Sequence, residues 1–290
     1  MTAPLVMVQA TADLLARAAA ARLITRLVDV QAAAGHAHIV LTGGGIGITT
    51  LAALACSPAR DTIDWTALDV WWGDERFLPA GDPERNETQA RAALLDLVPV
   101  PAERLHPMPP SDGRYGADVD AAAEAYAAEL SAATRPEDHG DVPAFDVLLL
   151  GLGPDGHVAS LFPGHPALYE EDRSVLGVRG SPKPPPVRIS LTRRAIQQAQ
   201  DVWLLAAGAG KADAVSRALG QAEEVTVPAT AARGRRSTLW LLDNAAAAGV
   251  IPPCAGGHSK ARLVLAQTPP EPGLTSGNAH SVSCRPEHSG

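Results

Sequence analysis

The chain has 290 residues, 46% hydrophobic and 19% charged, with a formal net charge of −8; that length suits one large α/β domain or two small ones with a sizeable core. The acidic balance offers no electrostatic footprint for nucleic acid or an anionic membrane, so an anionic substrate would need a local cationic pocket. No stretch approaches the ~20 apolar residues of a membrane span, the N-terminus lacks a signal-peptide pattern, and Cys56, Cys254 and Cys284 are scattered without metal spacing, as in a reducing cytosol. The expectation is a cytoplasmic α/β protein.

In chain order, Thr11 or Asp13 caps an amphipathic helix to about residue 34, with Leu15, Leu23, Leu27 and Val30 at helical spacing and Gly35 to end it. A strand over 38–41 runs into a glycine-rich turn, Thr42 to Thr50, and a helix over 51–56. A second strand, 68–72, is followed at once by Gly73, Asp74, Glu75 and Arg76. Helices are expected over 86–97 and 118–132. The most apolar strand, 145–150, opens a loop containing Gly151, Gly153, Pro154, Asp155, Gly156 and His157. After it, 158–162 has room only for a short helical turn before Pro163.

Further strands are expected over 174–178, 188–191, 202–206 and 238–242, with helices over 192–199, 211–219 and 243–248. The proline-rich 181–186 suits neither helix nor central strand, because proline lacks the N–H both need. Alternation of helices with strands buried on both faces predicts a doubly wound, mostly parallel sheet with helices on both faces, as one domain over 1–250. Residues 251–290, rich in Pro, Gly, Ser and His, are expected to be a disordered, dispensable tail.

Residues 151–156 spell G-x-G-x-x-G, but Pro163 cuts short the helix a dinucleotide would need, and Asp155 would sit beside the diphosphate. The same loop is better suited to chemistry through His157 as a general base and Asp155 as its orienting carboxylate. Asp74, Glu75 and Arg76 place three charges at the end of a buried strand. Gly43, Gly44 and Gly45 permit close approach of backbone N–H groups to an anion, although a glycine run alone is more often a tight turn. Lys183, Arg188 and Lys211 are cations on consecutive strand–loop units; Lys211 opposes a helix dipole, which an anion between them would resolve.

Taken together, LTGGGIG (41–47), WWGDERFLP (71–79), Asn86, LLGLGPDGHVASLFPG (149–164), SPKPPPVRISLT (181–192) and GAGK (208–211) resemble the 6-phosphogluconolactonases of the glucosamine-6-phosphate isomerase/6-phosphogluconolactonase family, in order over about 5–248. The related deaminases continue their Gly-His segment toward Asn-Glu-Pro with a further catalytic glutamate; here Ala159, Ser160, Leu161, Phe162 and Pro163 follow. The first loop departs from the family's usual Gly-Gly-Ser/Thr, so backbone N–H groups are left to hold an anion there. The resemblance implies a sugar-phosphate-isomerase-like fold and hydrolysis of 6-phospho-D-glucono-1,5-lactone, with no metal or organic cofactor; separately, a monomer or small homo-oligomer is expected.

It further implies His157 as base, Asp155 orienting it, Arg76 at the oxyanion or gripping substrate, and Asp74 on sugar hydroxyls or on Arg76. Arg188, Lys211, Lys183 and the glycine turn would hold the phosphate. A deaminase or isomerase on the same scaffold, a nicotinamide oxidoreductase and a non-catalytic sugar-phosphate sensor stay open as alternatives.

Overall fold

The computed structural model describes residues 3–250 except 137, 139 and 221, together with the backbone of 262–265. The first half runs β1 (Leu5–Gln9), α1 (Ala12–Ala34), β2 (Ala37–Leu41), α2 (Gly45–Ala55), β3 (Leu68–Trp72), β4 (Asp74–Arg76), α3 (Asn86–Ala93), β5 (Leu105–His106) and α4 (Val119–Ala132). It continues with β6 (Val147–Gly151), β7 (Val175–Val178), β8 (Arg188–Leu191), α5 (Arg193–Ile196), β9 (Asp201–Ala206), α6 (Ala212–Leu219), β10 (Ser237–Asp243) and β11 (Arg262–Leu265). The Thr11 hydroxyl accepts from Leu14 N–H to start α1, and Gly35 ends it at φ 78°, a conformation only glycine adopts without steric cost.

Eight strands form one parallel sheet in the order β11-β1-β10-β9-β6-β2-β3-β5. Alternating side chains divide its core between two faces. Ile39, Leu41, Val70, Trp72 and Leu149 pack with α1 and α2 residues such as Leu23, Leu27 and Leu51. Val40, Trp71, Leu148 and Leu150 pack on the other side with Tyr126 of α4 and with Val178, Ile189 and Leu191. From β2 the chain moves outward to β3 and β5; from β6 it moves the other way to β9 and β10. The carboxyl ends of β2 and β6 therefore flank a topological switch point, where an open α/β sheet leaves a crevice.

The doubly wound expectation holds, with corrections at particular elements. The strands expected over 174–178 and 188–191 leave the parallel sheet and join β4 in a separate antiparallel sheet, β4-β8-β7. Asp74–Arg76 is thus a strand of its own instead of a charged turn. Helix α2 begins at Gly45, six residues before the expected start, because Gly44 at φ 83° lets the turn close early. Residues 158–162 form no helical turn; Val158 and Leu161 pair across a tight bridge, with Ala159 at φ 49°. Of the expected helix over 243–248, Asp243 ends β10 and 244–248 is a run of turns. Within the stretch expected to be a disordered tail, 262–265 instead pairs in parallel with β1; the other residues of 251–290 lie outside the described residues.

At the sheet's β5 edge, the His106 ring stacks on Trp71, centroids 3.8 Å apart, and meets Glu129 through Nδ1 (2.7 Å) and Asp69 through Nε2 (3.0 Å). Burial opposes its protonation, but the hydrogen bonds to Asp69 and Glu129 outweigh burial and raise the imidazole to about 9. The folded state then keeps a proton that the unfolded chain, with an ordinary value of ~6.5, releases. The clamp's stabilisation is complete below ~6.5 and disappears as pH rises through about 9. His106→Gln is expected to lower the melting temperature near pH 6 and to change it little near pH 10, as thermal unfolding at the two values would test.

Candidate active site

The loop after β6 is built around its glycines. A Cβ on Gly153 would lie 1.9 Å from His157 Nδ1 and 2.3 Å from Asp155 Oδ1, so the two side chains fold over a position that admits no side chain. Gly153 N–H donates to His157 O (2.9 Å), and Gly156 O accepts from Ala229 N–H (3.0 Å), which fixes the loop from inside and from behind. The outcome is a close pair, His157 Nδ1 to Asp155 Oδ1 at 2.5 Å. Burial favours the neutral Asp155 carboxyl, but the hydrogen bond from His157 and the charges of His157 and Lys183 prevail and hold it well below the usual carboxylate range. An ionised Asp155 accepts from Nδ1–H, which leaves Nε2 as the basic atom of the ring. The ring packs on Phe162, centroids 4.5 Å apart.

Lys183 comes from the proline-rich loop before β8. Its Nζ stands 3.3 Å from Asp155 Oδ1 and 3.1 Å from His157 Nδ1. Lys211, at the end of a short 3-10 turn leading into α6, feels burial first, then repulsion from Lys183 and attraction from Asp155, with its pKa lowered overall. Gly208 precedes that turn at φ 89° with its N–H held by both Asp243 oxygens at 3.0 Å. Asp155, His157, Lys183 and Lys211 are therefore one electrostatic neighbourhood.

The antiparallel sheet makes the second wall. Period-two alternation separates the charges of β4: Asp74 and Arg76 share one face and Glu75 takes the other. Asp74 is buried, accepting from Ser160 Oγ (2.7 Å) and, at its backbone oxygen, from Asn86 Nδ2 (2.7 Å), with Arg188 Nη1 4.0 Å from Oδ2. Arg188 is also buried; its Nε donates to Pro185 O (3.2 Å), and its Nη2 donates to Pro184 O (3.0 Å) and Lys183 O (3.3 Å). Arg76 lies directly opposite Arg188 in register, and its Nη1 donates to Glu84 O at 2.5 Å. Two guanidinium groups paired across strands repel, and an anion in front of them relieves that repulsion.

Glu75 does other work. Its carboxylate accepts from Arg76 N–H (2.8 Å), Asn86 N–H (2.6 Å) and Glu87 N–H (2.9 Å), capping α3, with Arg85 Nη2 3.8 Å away. Burial pushes the carboxyl up to about 7.

Gly43 lies beside this wall. A Cβ there would fall 1.8 Å from Asn86 Oδ1, an atom with no hydrogen-bond partner among the described residues. The glycine turn is joined to β6 as well, Gly151 N–H donating to Thr42 Oγ1 at 3.1 Å. The first bond within α2 runs from Ile48 N–H to Gly44 O, so the N–H groups of Gly45, Ile46 and Gly47 lack an intrahelical acceptor. Gly43→Ala is expected to displace Asn86 and, through it, Asp74, lowering kcat/KM by about 100-fold. Adding Asn86→Ala frees the space and recovers part of the loss. Steady-state kinetics on the two single variants and the double would check this, and strictly additive losses would refute the coupling.

The structure thus gathers the ten sequence candidates into two adjoining groups. His157, Asp155, Lys183 and Lys211 form one; Asp74, Arg76 and Arg188, with Gly43 held through Asn86, form the other, and Gly44 and Gly45 continue the turn from Gly43. Ser160 and Phe162 connect the two, the first bonded to Asp74 and the second packed between His157 and Arg188. Sequence reading assigned no role to Asn86, Ser160 or Ser190, whose Oγ accepts from Ser160 N–H at 3.1 Å. Ser160 and Ser190 are short polar side chains among apolar neighbours, and Asn86, although part of the family resemblance, sits in the polar run 84–89 where nothing local marks it out.

Comparison with known proteins gives a consistent result. The family model described as glucosamine-6-phosphate isomerases/6-phosphogluconolactonase matches residues 10–240. A Streptomyces coelicolor protein named 6-phosphogluconolactonase is 64% identical over 244 residues, spanning 84% of this chain and 94% of that protein. A Mycobacterium tuberculosis protein of the same name is 52% identical over 236 residues, spanning 81% and 94%. Among solved structures, the Trypanosoma brucei 6-phosphogluconolactonase superposes with a TM-score of 0.76 at 31% identity, covering 87% of this chain and all (100%) of that one. A monomeric glucosamine-6-phosphate deaminase shares the fold, with a TM-score of 0.69 at 20% identity, covering 84% of this chain and 99% of that one.

Proposed function

Because the chain belongs to the glucosamine-6-phosphate isomerase/6-phosphogluconolactonase family, we propose that it hydrolyses 6-phospho-D-glucono-1,5-lactone to 6-phospho-D-gluconate, a step of the oxidative pentose phosphate pathway. The observation that carries the chemistry is the His157–Asp155 pair at the mouth of β6. Hydrolysis of an ester carbonyl needs an activated water, a stabilised oxyanion and a held substrate.

In this reading, Nε2 of His157 takes a proton from the water that attacks C1, and Asp155 holds the tautomer and stabilises the resulting imidazolium. The carbonyl electrons pass to the oxygen on C1, where Arg76 is the candidate cation for the oxyanion or for gripping the substrate. Collapse of the intermediate expels the ring oxygen, which takes the proton back from His157, leaving a C5 hydroxyl and a C1 acid that ionises in water. Asp74, fixed by Ser160 and Asn86, meets sugar hydroxyls or orients the neighbouring guanidinium groups. Lys183, Lys211, Arg188 and the turn at Gly43, Gly44 and Gly45 hold the 6-phosphate by charge-assisted hydrogen bonds. Most Arg188 donors already hold backbone carbonyls, so the two lysines carry more of that task than sequence spacing suggested.

The deaminase reading needs a further carboxylate after the histidine. Here Ser160 stands in the loop, and it is spent on Asp74. Among the described residues no helix is long and apolar enough to cross a membrane. The cytoplasmic location rests on the scattered cysteines and the N-terminal pattern, and the expectation of no nucleic-acid or membrane partner rests on the net charge of −8; the monomer or small homo-oligomer is an expectation that size-exclusion chromatography would check. The decisive experiment generates the lactone in situ and follows its loss against the spontaneous rate. Acceleration is expected; release of ammonia from glucosamine 6-phosphate without lactone loss would overturn the reading.

A further inference from the structure

Lys183 and His157 meet in a way that the hydrolytic mechanism leaves unresolved. Both compete for Asp155 Oδ1, at 3.3 Å and 2.5 Å, and Lys183 Nζ is 3.1 Å from His157 Nδ1. Once Nδ1–H donates to Asp155 it has no lone pair to offer, so the ammonium faces another donor. Every step that puts a proton on the ring sharpens this repulsion, since the imidazolium would lie beside a second full charge.

The backbone of Lys183 is fixed: Ser181 Oγ accepts from its N–H (3.3 Å) and donates to its O (2.9 Å), and Arg188 Nη2 holds that same oxygen. Its side chain is not so enclosed, being 36% exposed. It can therefore swing by rotamer change alone while its loop stays in place. Lys211, whose pKa is lowered by burial first and by the Lys183 charge next, is the second cation of the phosphate site proposed above.

We propose that Lys183 is a gate set by the substrate's own anion: in the free protein its ammonium sits against the Asp155–His157 pair and opposes protonation of the ring, and a bound phosphate draws it away, so that Nε2 takes the proton from water more readily. The proposal rests on the lactonase reading and extends it, because it makes phosphate an activator of the chemical step as well as a handle for binding. Unphosphorylated lactones would enter a site in which Lys183 still opposes protonation of the ring.

The test uses unphosphorylated glucono-1,5-lactone with and without inorganic phosphite, in the wild type and in Lys183→Met. In the wild type, phosphite is expected to raise turnover saturably by about tenfold, the factor expected if the released state is populated to about a tenth without anion. In Lys183→Met, turnover of the unphosphorylated lactone should exceed the wild type's and ignore phosphite, while KM for the phosphorylated lactone rises. A variant slowed on both lactones in the same ratio would overturn the gate and leave Lys183 as a binding group. A second readout does not depend on turnover: the His157 ring nitrogen signals by NMR should move when inorganic phosphate is added to the wild type and stay fixed in Lys183→Met. Motionless signals in the wild type refute the gate whether or not the lactonase reading stands; failure to accelerate loss of the phosphorylated lactone refutes that reading separately.

Discussion

With alanine in place of His157, kcat is expected to fall by about 10²–10⁴-fold while KM changes by no more than a few-fold. The imidazole keeps a free basic nitrogen once Asp155 has taken Nδ1–H, and in the proposed mechanism it acts on the water, so its loss would weaken the transition state more than the substrate complex. The groups proposed to hold the sugar and phosphate remain, which would keep KM near its original value. Asp155→Asn should show a smaller fall of the same kind, because an amide no longer fixes the tautomer or stabilises the imidazolium. Steady-state kinetics corrected for spontaneous hydrolysis would separate the two parameters. Near-normal turnover in His157→Ala would mean that the water is activated elsewhere.

The largest loss of stability is expected at Arg85, which lies outside the reacting groups. The side chain is fully buried at 0% exposure, donating to Leu78 O, Met108 O and Glu87 while facing Glu75 at 3.8 Å. Arg85→Met keeps the volume and removes the charge, leaving Glu75 buried with backbone N–H groups as its remaining support. Removing one partner of a buried pair costs about 3–5 kcal/mol.

The cost should depend on pH. Burial already holds the Glu75 carboxyl at about 7, above the ordinary carboxylate, so the folded state keeps a proton that the unfolded chain has lost. Stability therefore falls as pH rises from ~4.3 towards about 7. Losing Arg85 extends that window upward, so the variant should lose stability more steeply at and above neutral pH. Urea unfolding at several pH values would show it, and a penalty independent of pH would argue that Arg85 acts only by packing.

The Gly151-to-His157 loop stands out in the sequence as a candidate site because glycine, proline, aspartate and histidine cluster directly after a buried strand, a composition that points to a special loop geometry. The close approach of Asp155 and His157 over Gly153 is that geometry. Arg76 and Arg188 lie 112 positions apart in the chain, and only their antiparallel register makes them neighbours. Glu75 and Asp74 look alike in sequence. One caps α3 and the other accepts from Ser160 in the loop after β6, because a strand sends successive side chains to opposite faces.

What this sequence determined by itself is the local and the periodic. Helix ends at Thr11 and Gly35, the apolar runs of the parallel strands, and the glycines that permit tight loops all follow from propensity, capping and side-chain alternation within a few residues. What the tertiary structure alone decided is pairing at long range. Strands 74–76, 175–178 and 188–191 leave the main sheet for one of their own, Asn86 presses on Gly43, and Lys183 settles on the Asp155–His157 pair. These contacts depend on which distant surfaces are buried together, and no local preference encodes that.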